Sequence, residues 1–262
     1  MTADISGVRS ALFLPASNPR AIAKAREAGA DFVILDLEDA VRAEDKDAAR
    51  EAAIAACAEA WPVPVAIRIN GAGTPWHEAD LESVARSRAD FVVVPRAKSP
   101  KDVTEIAGKP VLAMIETAAG VIAAPGIARE CAGLIAGTND LRADLRLPLG
   151  AGREAISAAL QWIVLAARAA GVVAIDGVFN GLEDEAGFLA EAREGRALGF
   201  DGKSLIHPKQ IAPCHAAFAP SEAEIERARA LVEAYSGGAE RMGKEMIEQM
   251  HVEAAKRLLS RQ

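Results

Sequence analysis

The sequence predicts an α/β fold, a parallel (β/α)8 barrel followed by a C-terminal helical extension. Three observations predict it. Eight short apolar runs recur along the chain, near-continuous in the way of parallel strands covered on both faces. Ala-rich segments of helical periodicity lie between them, which is the alternation that builds such barrels. The first run leads into Leu14-Pro15-Ala16-Ser17-Asn18, without the glycines that open the alternative, a doubly wound dinucleotide-binding sheet.

Taken in order, strands are expected at Ala11–Leu14, Phe32–Leu37, Val65–Ile69, Phe91–Val94, Val111–Ile115, Leu134–Ala136, Val173–Ile175 and Gly202–Leu205. Helices are expected at Pro19–Ala28, Asp45–Glu59, Glu78–Arg88, Lys101–Ile106, Ala119–Glu130, Gly152–Ala170 and Glu183–Leu198. The third helix starts just after Pro75, and the fourth follows Ser99-Pro100, an N-cap with proline at the first helical position. Gly29, Gly171 and Gly199 stand just past three helix ends, where a left-handed cap belongs. After Pro220 the character changes: Ser221–Tyr235 reads as a charged amphipathic helix, then Gly237-Gly238, then a further helix from about Arg241 to Leu259. The expected division is a barrel over 1–219 and a helical arm over 220–262, either a solvated appendage or an arm that packs on a neighbouring subunit.

The chain has 262 residues, 51% hydrophobic and 26% charged, an ordinary globular profile rather than a disordered one. At this mass, folding cuts the accessible area from roughly 40,000 to about 11,000 Å², enough for a core without disulfide or metal staples. The net charge is −7 and no basic block could neutralise a run of phosphates, which argues against a nucleic-acid partner. Cys57, Cys131 and Cys214 stand far apart with no CxxC pair, the pattern of reduced thiols in a cytoplasmic protein. The N-terminus lacks the basic-then-apolar order of a signal peptide. The longest apolar stretch, Ile163 to Ile175, contains Arg168 and is too short to span a membrane.

In a barrel the chemistry sits at the C-terminal ends of the strands. Those ends carry Asp36, Glu38 and Asp39 after the second strand, Arg68 and Asn70 after the third, Arg96 after the fourth, Glu116 after the fifth and Asp140 after the sixth. The seventh ends at Asp176 and the eighth leads to His207. Glu116 and Asp140 follow adjacent strands, about 4.8 Å apart, so both carboxylates can reach one point. Their repulsion would be relieved by a hard cation, and Mg²⁺ commonly takes one or two carboxylates with water and substrate. The competing reading makes each a helix or turn cap. Arg68 offers a planar fork to a carboxylate or developing oxyanion, and also an ion pair to Asp36 or Glu38. Two decoys fall away. Ala197–Ser204, ALGFDGKS, lacks the first glycine of a P-loop and reads helix-into-strand, and His207 has no second suitably spaced histidine.

At this point the chain resembles the HpcH/HpaI aldolase/citrate lyase superfamily, in its citrate lyase beta-subunit-like branch. The resemblance rests on RSALFLPASNPR (9–20), GADFVILDLEDAV (29–41), AIRING (66–71), VPRAKSP (94–100), MIETAAGV (114–121), GTNDL (137–141) and GFDGKSLIHPKQI (199–211), in the expected order. It implies a TIM barrel that, with Mg²⁺, cleaves or forms a carbon–carbon bond in a 3-hydroxyacyl-CoA thioester of malyl, citramalyl or citryl type. By position, Glu116 and Asp140 resemble the metal ligands, with Glu116 also meeting substrate, and Arg68 resembles the arginine that binds substrate and steadies an enolate. Asp36 and Glu38 join Arg68 in the expected catalytic set, and Arg9 and Arg96 in the substrate-binding set. The segment GKEMIEQMH (243–251) is similar to the family's C-terminal motif, whose acidic residue enters the neighbouring subunit's site; Glu248 takes that place where aspartate is usual. Further departures are Arg96 for lysine, Lys98 for an acidic residue and Asn139 for an acidic residue. A homotrimer is the assembly the resemblance implies. An aldolase of free 2-oxo acids, an acyl-CoA thioesterase and a carrier-dependent lyase subunit remain alternatives.

Overall fold

The computed structural model describes residues 3–104, 106, 108–242 and 245–259. Eight parallel strands close a barrel in sequence order: β1 Ser10–Pro15, β2 Phe32–Asp36, β3 Val65–Arg68, β4 Phe91–Val94, β5 Val111–Ile115, β6 Gly133–Ala136, β7 Val173–Asp176 and β8 Gly202–Leu205. Closure is made by β1 pairing β8, with Ala11 opposite Ser204. The helices are α1 Pro19–Ala25, α2 Lys46–Ala58, α3 His77–Arg86, α4 Lys101–Thr104, α5 Ala118–Ala128, α6 Thr138–Asp144, α7 Ser157–Ala170, α8 Glu185–Leu198 and α9 Ile211–Phe218. The expected (β/α)8 architecture is therefore present, and no helix among the described residues is long and apolar enough to cross a membrane.

The period-2 alternation of the strands decides what faces the axis. Inward residues form the core: Ala11, Phe32, Ile34, Ala66, Phe91, Val93, Leu112, Met114, Ile135 and Ile175 are all buried together. Phe32 and Phe91 meet edge to face at 5.7 Å. Continuing each alternation one step towards the C-terminal rim gives Asp36 after Ile34, Arg68 after Ala66 and Glu116 after Met114. The polar set at the mouth is thus the top layer of the same side-chain stack that fills the barrel.

Local signals set the helix ends. Asn18 caps α1 through its side chain, with Pro19 at the first position, and Thr117 caps α5 in the same way. Gly171 and Gly199 end α7 and α8 in the left-handed conformation, as expected. Gly29 is also left-handed, but it is not a cap: α1 already ends at Ala25, with Arg26 as its right-handed cap. Helices α6 and α9 were not anticipated, because TNDLRAD has no apolar period and Pro213 punctuates the other. The expected helix over 101–106 is shorter, ending at Thr104, with residue 105 outside the described set.

A buried ion cluster locks β7 and β8 to the helix layer. Lys203, fully buried, donates to Asp176 (2.9 Å), Glu191 (2.7 Å) and the Gly177 carbonyl (2.7 Å). Arg153 donates to the other Asp176 oxygen at 2.8 Å. A side chain on Gly195 would meet Asp176 at 2.6 Å, so this glycine lets α8 close over the cluster. Asp176, expected at the rim among possible site residues, is thus turned to structure. Asp176→Ala should destabilise the fold by about 3–5 kcal/mol, read by urea unfolding, because it leaves two cations buried without their main partner. A loss under about 1 kcal/mol would show that Glu191 and Glu194 suffice.

The chain divides into two compact units, Met1–Ala217 and Phe218–Gln262. The second holds α10 Glu222–Ala234, a two-stranded antiparallel sheet of β9 Glu240–Met242 and β10 Glu245–Ile247, and α11 Gln249–Leu259, with α10 packed on α11. Ser221 and Glu224 form a reciprocal capping box at the start of α10. The continuous helix expected from about Arg241 is corrected: paired strands occupy 240–242 and 245–247, and the helix begins only at Gln249. Strands of three residues leave no alternation long enough to read, and Glu and Met are ordinary helix formers.

Candidate active site

The mouth of the barrel holds a cavity of about 340 Å³ whose lining includes Phe13, Asp36, Arg68, Met114, Glu116, Asn139, Asp140, Asn180 and Ser204. Asp36, Arg68 and Glu116 are buried, whereas Asp140 is about 39% exposed.

Arg68 is held from several sides. Its Nε and Nη2 each donate to Asp36 at 2.6 Å, a bidentate fork, and Nη1 lies 3.0 Å from Glu38. Its guanidinium sits 5.2 Å from the centre of the Phe13 ring. Asp36 also accepts the backbone N–H groups of Glu38 and Ala40, so one carboxylate orients both the arginine and the turn after β2. Lys46 of α2 staples that turn by donating to the carbonyls of Leu37 and Glu38 and to Asn70 Oδ1. Asn70 is committed to this joint, and through its amide and backbone to Asp80 of α3, so it is not a pocket group. Burial pushes the Glu38 carboxyl up to about 8, only partly offset by Arg68. Glu38 touches Arg68 without lining the cavity.

Glu116 directly follows β5. Burial, against the pull of the Arg96 backbone N–H and with repulsion from Asp140, raises its carboxyl to about 7. That N–H donates to Glu116 Oε1 at 2.6 Å, and Arg96 takes a left-handed φ of 53° at this peptide. A non-glycine residue in that region costs on the order of 1 kcal/mol, strain of the kind stored where geometry serves a site. Gly137 is required beside it, since a β-carbon there would overlap the Glu116 side chain. Asp140 comes from the first turn of α6 rather than from the end of β6, and its nearest cation is Arg96, at 3.6 Å.

These observations fit a divalent cation. Glu116 is a buried carboxylate in space kept open by Gly137, with Asp140 close enough to raise its pKa. Among the described residues no group of three or more His, Cys, Asp and Glu gathers into a closed cage. Two carboxylates with open positions are what Mg²⁺ takes when substrate and water complete its shell. Glu116 and Asp140 are the residues that would hold it.

Other expectations are redistributed. Arg9 lies before β1, at the N-terminal rim opposite the cavity, and forks onto Asp31 at 3.0 and 3.1 Å; it is withdrawn from the substrate-binding set. His207 caps a short turn by accepting from the Lys209 N–H. Glu248 stands in the second unit, where its backbone N–H donates to His251 Nδ1 at the start of α11. Gly243 and Lys244 of its motif lie outside the described residues. Asn139 and Asn180 exchange hydrogen bonds at 2.9 and 3.3 Å on the lip of the cavity, joining the first turn of α6 to the loop after β7. Phe13, Met114, Asn180 and Ser204 were not foreseen, though counting back along each strand by twos would have found the inward members.

Comparison with known proteins identifies the family. The family described as HpcH/HpaI aldolase/citrate lyase matches residues 9–208. The chain belongs to that family. A (3S)-malyl-CoA thioesterase of Cereibacter sphaeroides is 39% identical over 97% of this chain and 94% of its own length. A citrate lyase subunit beta-like protein of Deinococcus radiodurans is 40% identical over 92% of this chain and 90% of its own. The crystal structure of CitE from Mycobacterium tuberculosis, in complex with magnesium, acetoacetate and coenzyme A, superposes with a TM-score of 0.89 at 35% identity, covering 98% of this chain and 99% of that one.

Proposed function

We propose that this member is a Mg²⁺-dependent carbon–carbon lyase acting on a 3-hydroxyacyl-CoA of malyl, citramalyl or citryl type. The observation that carries the reading is one barrel mouth bearing two adjacent carboxylates, Glu116 and Asp140, and an arginine fork locked by Asp36. Held by Glu116 and Asp140, Mg²⁺ would supply Lewis-acid polarisation of the substrate's oxygens. In cleavage the substrate hydroxyl gives its proton to solvent water at the open mouth, the bond between C2 and C3 breaks as the C3 carbonyl forms, and the electron pair of the broken bond enters the thioester as an enolate. Protonation at C2 then gives acetyl-CoA beside a 2-oxo acid. Arg68 is preorganised for the enolate oxygen: its position is fixed before substrate arrives, so no reorganisation is needed as charge develops. Asp36 and Glu38 are positioning residues for that fork. Arg96 binds with its N–H fixed on Glu116 and its side chain near Asp140, ready for an anionic substrate. Glu248, from a neighbouring copy of a cytoplasmic homotrimer, is the proton donor at carbon, and the arm over 220–262 carries it there.

A second reading is hydrolysis of the same thioester, favoured by the 39% identity to a relative named (3S)-malyl-CoA thioesterase. The products separate the two. Malyl-CoA with Mg²⁺ should yield acetyl-CoA and glyoxylate in equal amounts, followed by chromatography, and EDTA should abolish the reaction. Malate with free CoA would establish hydrolysis instead, and no turnover of malyl-, citramalyl- or citryl-CoA would overturn the thioester reading.

A further inference from the structure

Among the described residues, four buried side-chain atoms have no hydrogen-bond partner: Glu38 Oε2, Arg50 Nη2, Arg153 Nε and Ser204 Oγ. Of these four residues only Ser204 lines the cavity. Its orientation follows from the strand. Lys203 points outward to Glu191 of α8, so the next residue of β8 points to the axis. Ser204 is 1% exposed, and the cavity it lines also has apolar residues such as Phe13, Met114 and Ile206 in its wall. A hydroxyl desolvated without a partner weakens the free protein, and retaining one there has a reason if a ligand completes it.

We infer that Ser204 is a substrate-binding residue whose hydroxyl donates to an oxygen of the short 2-oxo acid formed or consumed at this site. The inference rests on the lyase reading. A cavity of about 340 Å³ suits the acid end of the substrate rather than the coenzyme, and the acid brings more acceptor oxygens than Arg68, already forked onto Asp36, can meet. Ser204 is a donor with a free proton at that depth. It holds the acid and does not act on the breaking bond, so its contribution belongs to binding.

The test is calorimetric titration of the full-length protein with glyoxylate, pyruvate and oxaloacetate at saturating Mg²⁺, using wild type, Ser204→Ala and Ser204→Cys. Ser204→Ala should weaken binding of the preferred acid roughly 10- to 100-fold, as for a lost bond to a charged acceptor. Ser204→Cys, a weaker donor of similar size, should fall between. Thermal stability without ligand should hold or rise in Ser204→Ala, Mg²⁺ affinity should stay unchanged, and with malyl-CoA the loss should appear in KM rather than kcat. Acid affinity within twofold of wild type in Ser204→Ala would overturn the inference while leaving the lyase reading standing. Wild type binding none of the three acids would overturn both.

Discussion

Arg68→Ala should cost about 3–5 kcal/mol of stability and at least about 10²-fold in kcat. The stability loss follows from what is left behind: Asp36 is buried, forked onto this guanidinium, and Glu38 lies 3.0 Å from it. Removing one partner of a buried pair leaves an uncompensated charge. The rate loss follows from a separate property, a preorganised donor aimed at developing oxyanion charge. Two further variants separate the roles. Arg68→Lys keeps the charge and loses the fork, so it should recover part of the stability with kcat still low. Arg68→Ala combined with Asp36→Ala should be less destabilised than the sum of the single changes, because the orphaned carboxylate is gone. Measured by urea unfolding and steady-state kinetics, a wild-type kcat in Arg68→Ala despite lowered stability would reduce Arg68 to an ion-pair partner.

Glu116→Gln should abolish metal binding and activity together, with kcat falling on the order of 10³-fold or more, as expected where several kcal/mol of charge stabilisation is lost. Glutamine keeps the size and an acceptor for the Arg96 N–H, so the left-handed peptide at Arg96 should persist. In metal-free buffer the variant should be at least as stable as wild type, since ionising this buried carboxyl is already unfavourable and its pKa stands near 7. The decisive comparison is the Mg²⁺-induced rise in melting temperature, present in wild type and absent in Glu116→Gln. Activity retained in EDTA, or an unchanged Mg²⁺ response in the variant, would sink the assignment of Glu116 as a metal ligand.

By itself the sequence determined the barrel and most of the charged mouth. Its strands are buried on both faces, so each appears as an apolar run that local composition reveals, and the polar groups just beyond those runs, Asp36, Arg68 and Glu116, fall on one rim by topology alone. The order of its motifs also carried the family resemblance. Tertiary structure decided which rim residues look inward. Asp176 and Asn70 stand at strand ends as Glu116 does, yet Asp176 alternates outward from Ile175 to meet Lys203 of the neighbouring strand and Arg153, and Asn70 is taken by Lys46 of α2 and Asp80 of α3. Arg9 reads as a substrate cation in its motif, but strand direction puts it at the far rim with Asp31. The hairpin at 240–242 and 245–247 was hidden because such short strands owe their existence to each other rather than to their residues. Ser204 was concealed for the opposite reason: its meaning is an unmet hydrogen bond, and the absence of a partner is a property of three-dimensional surroundings that no spacing along a chain can display.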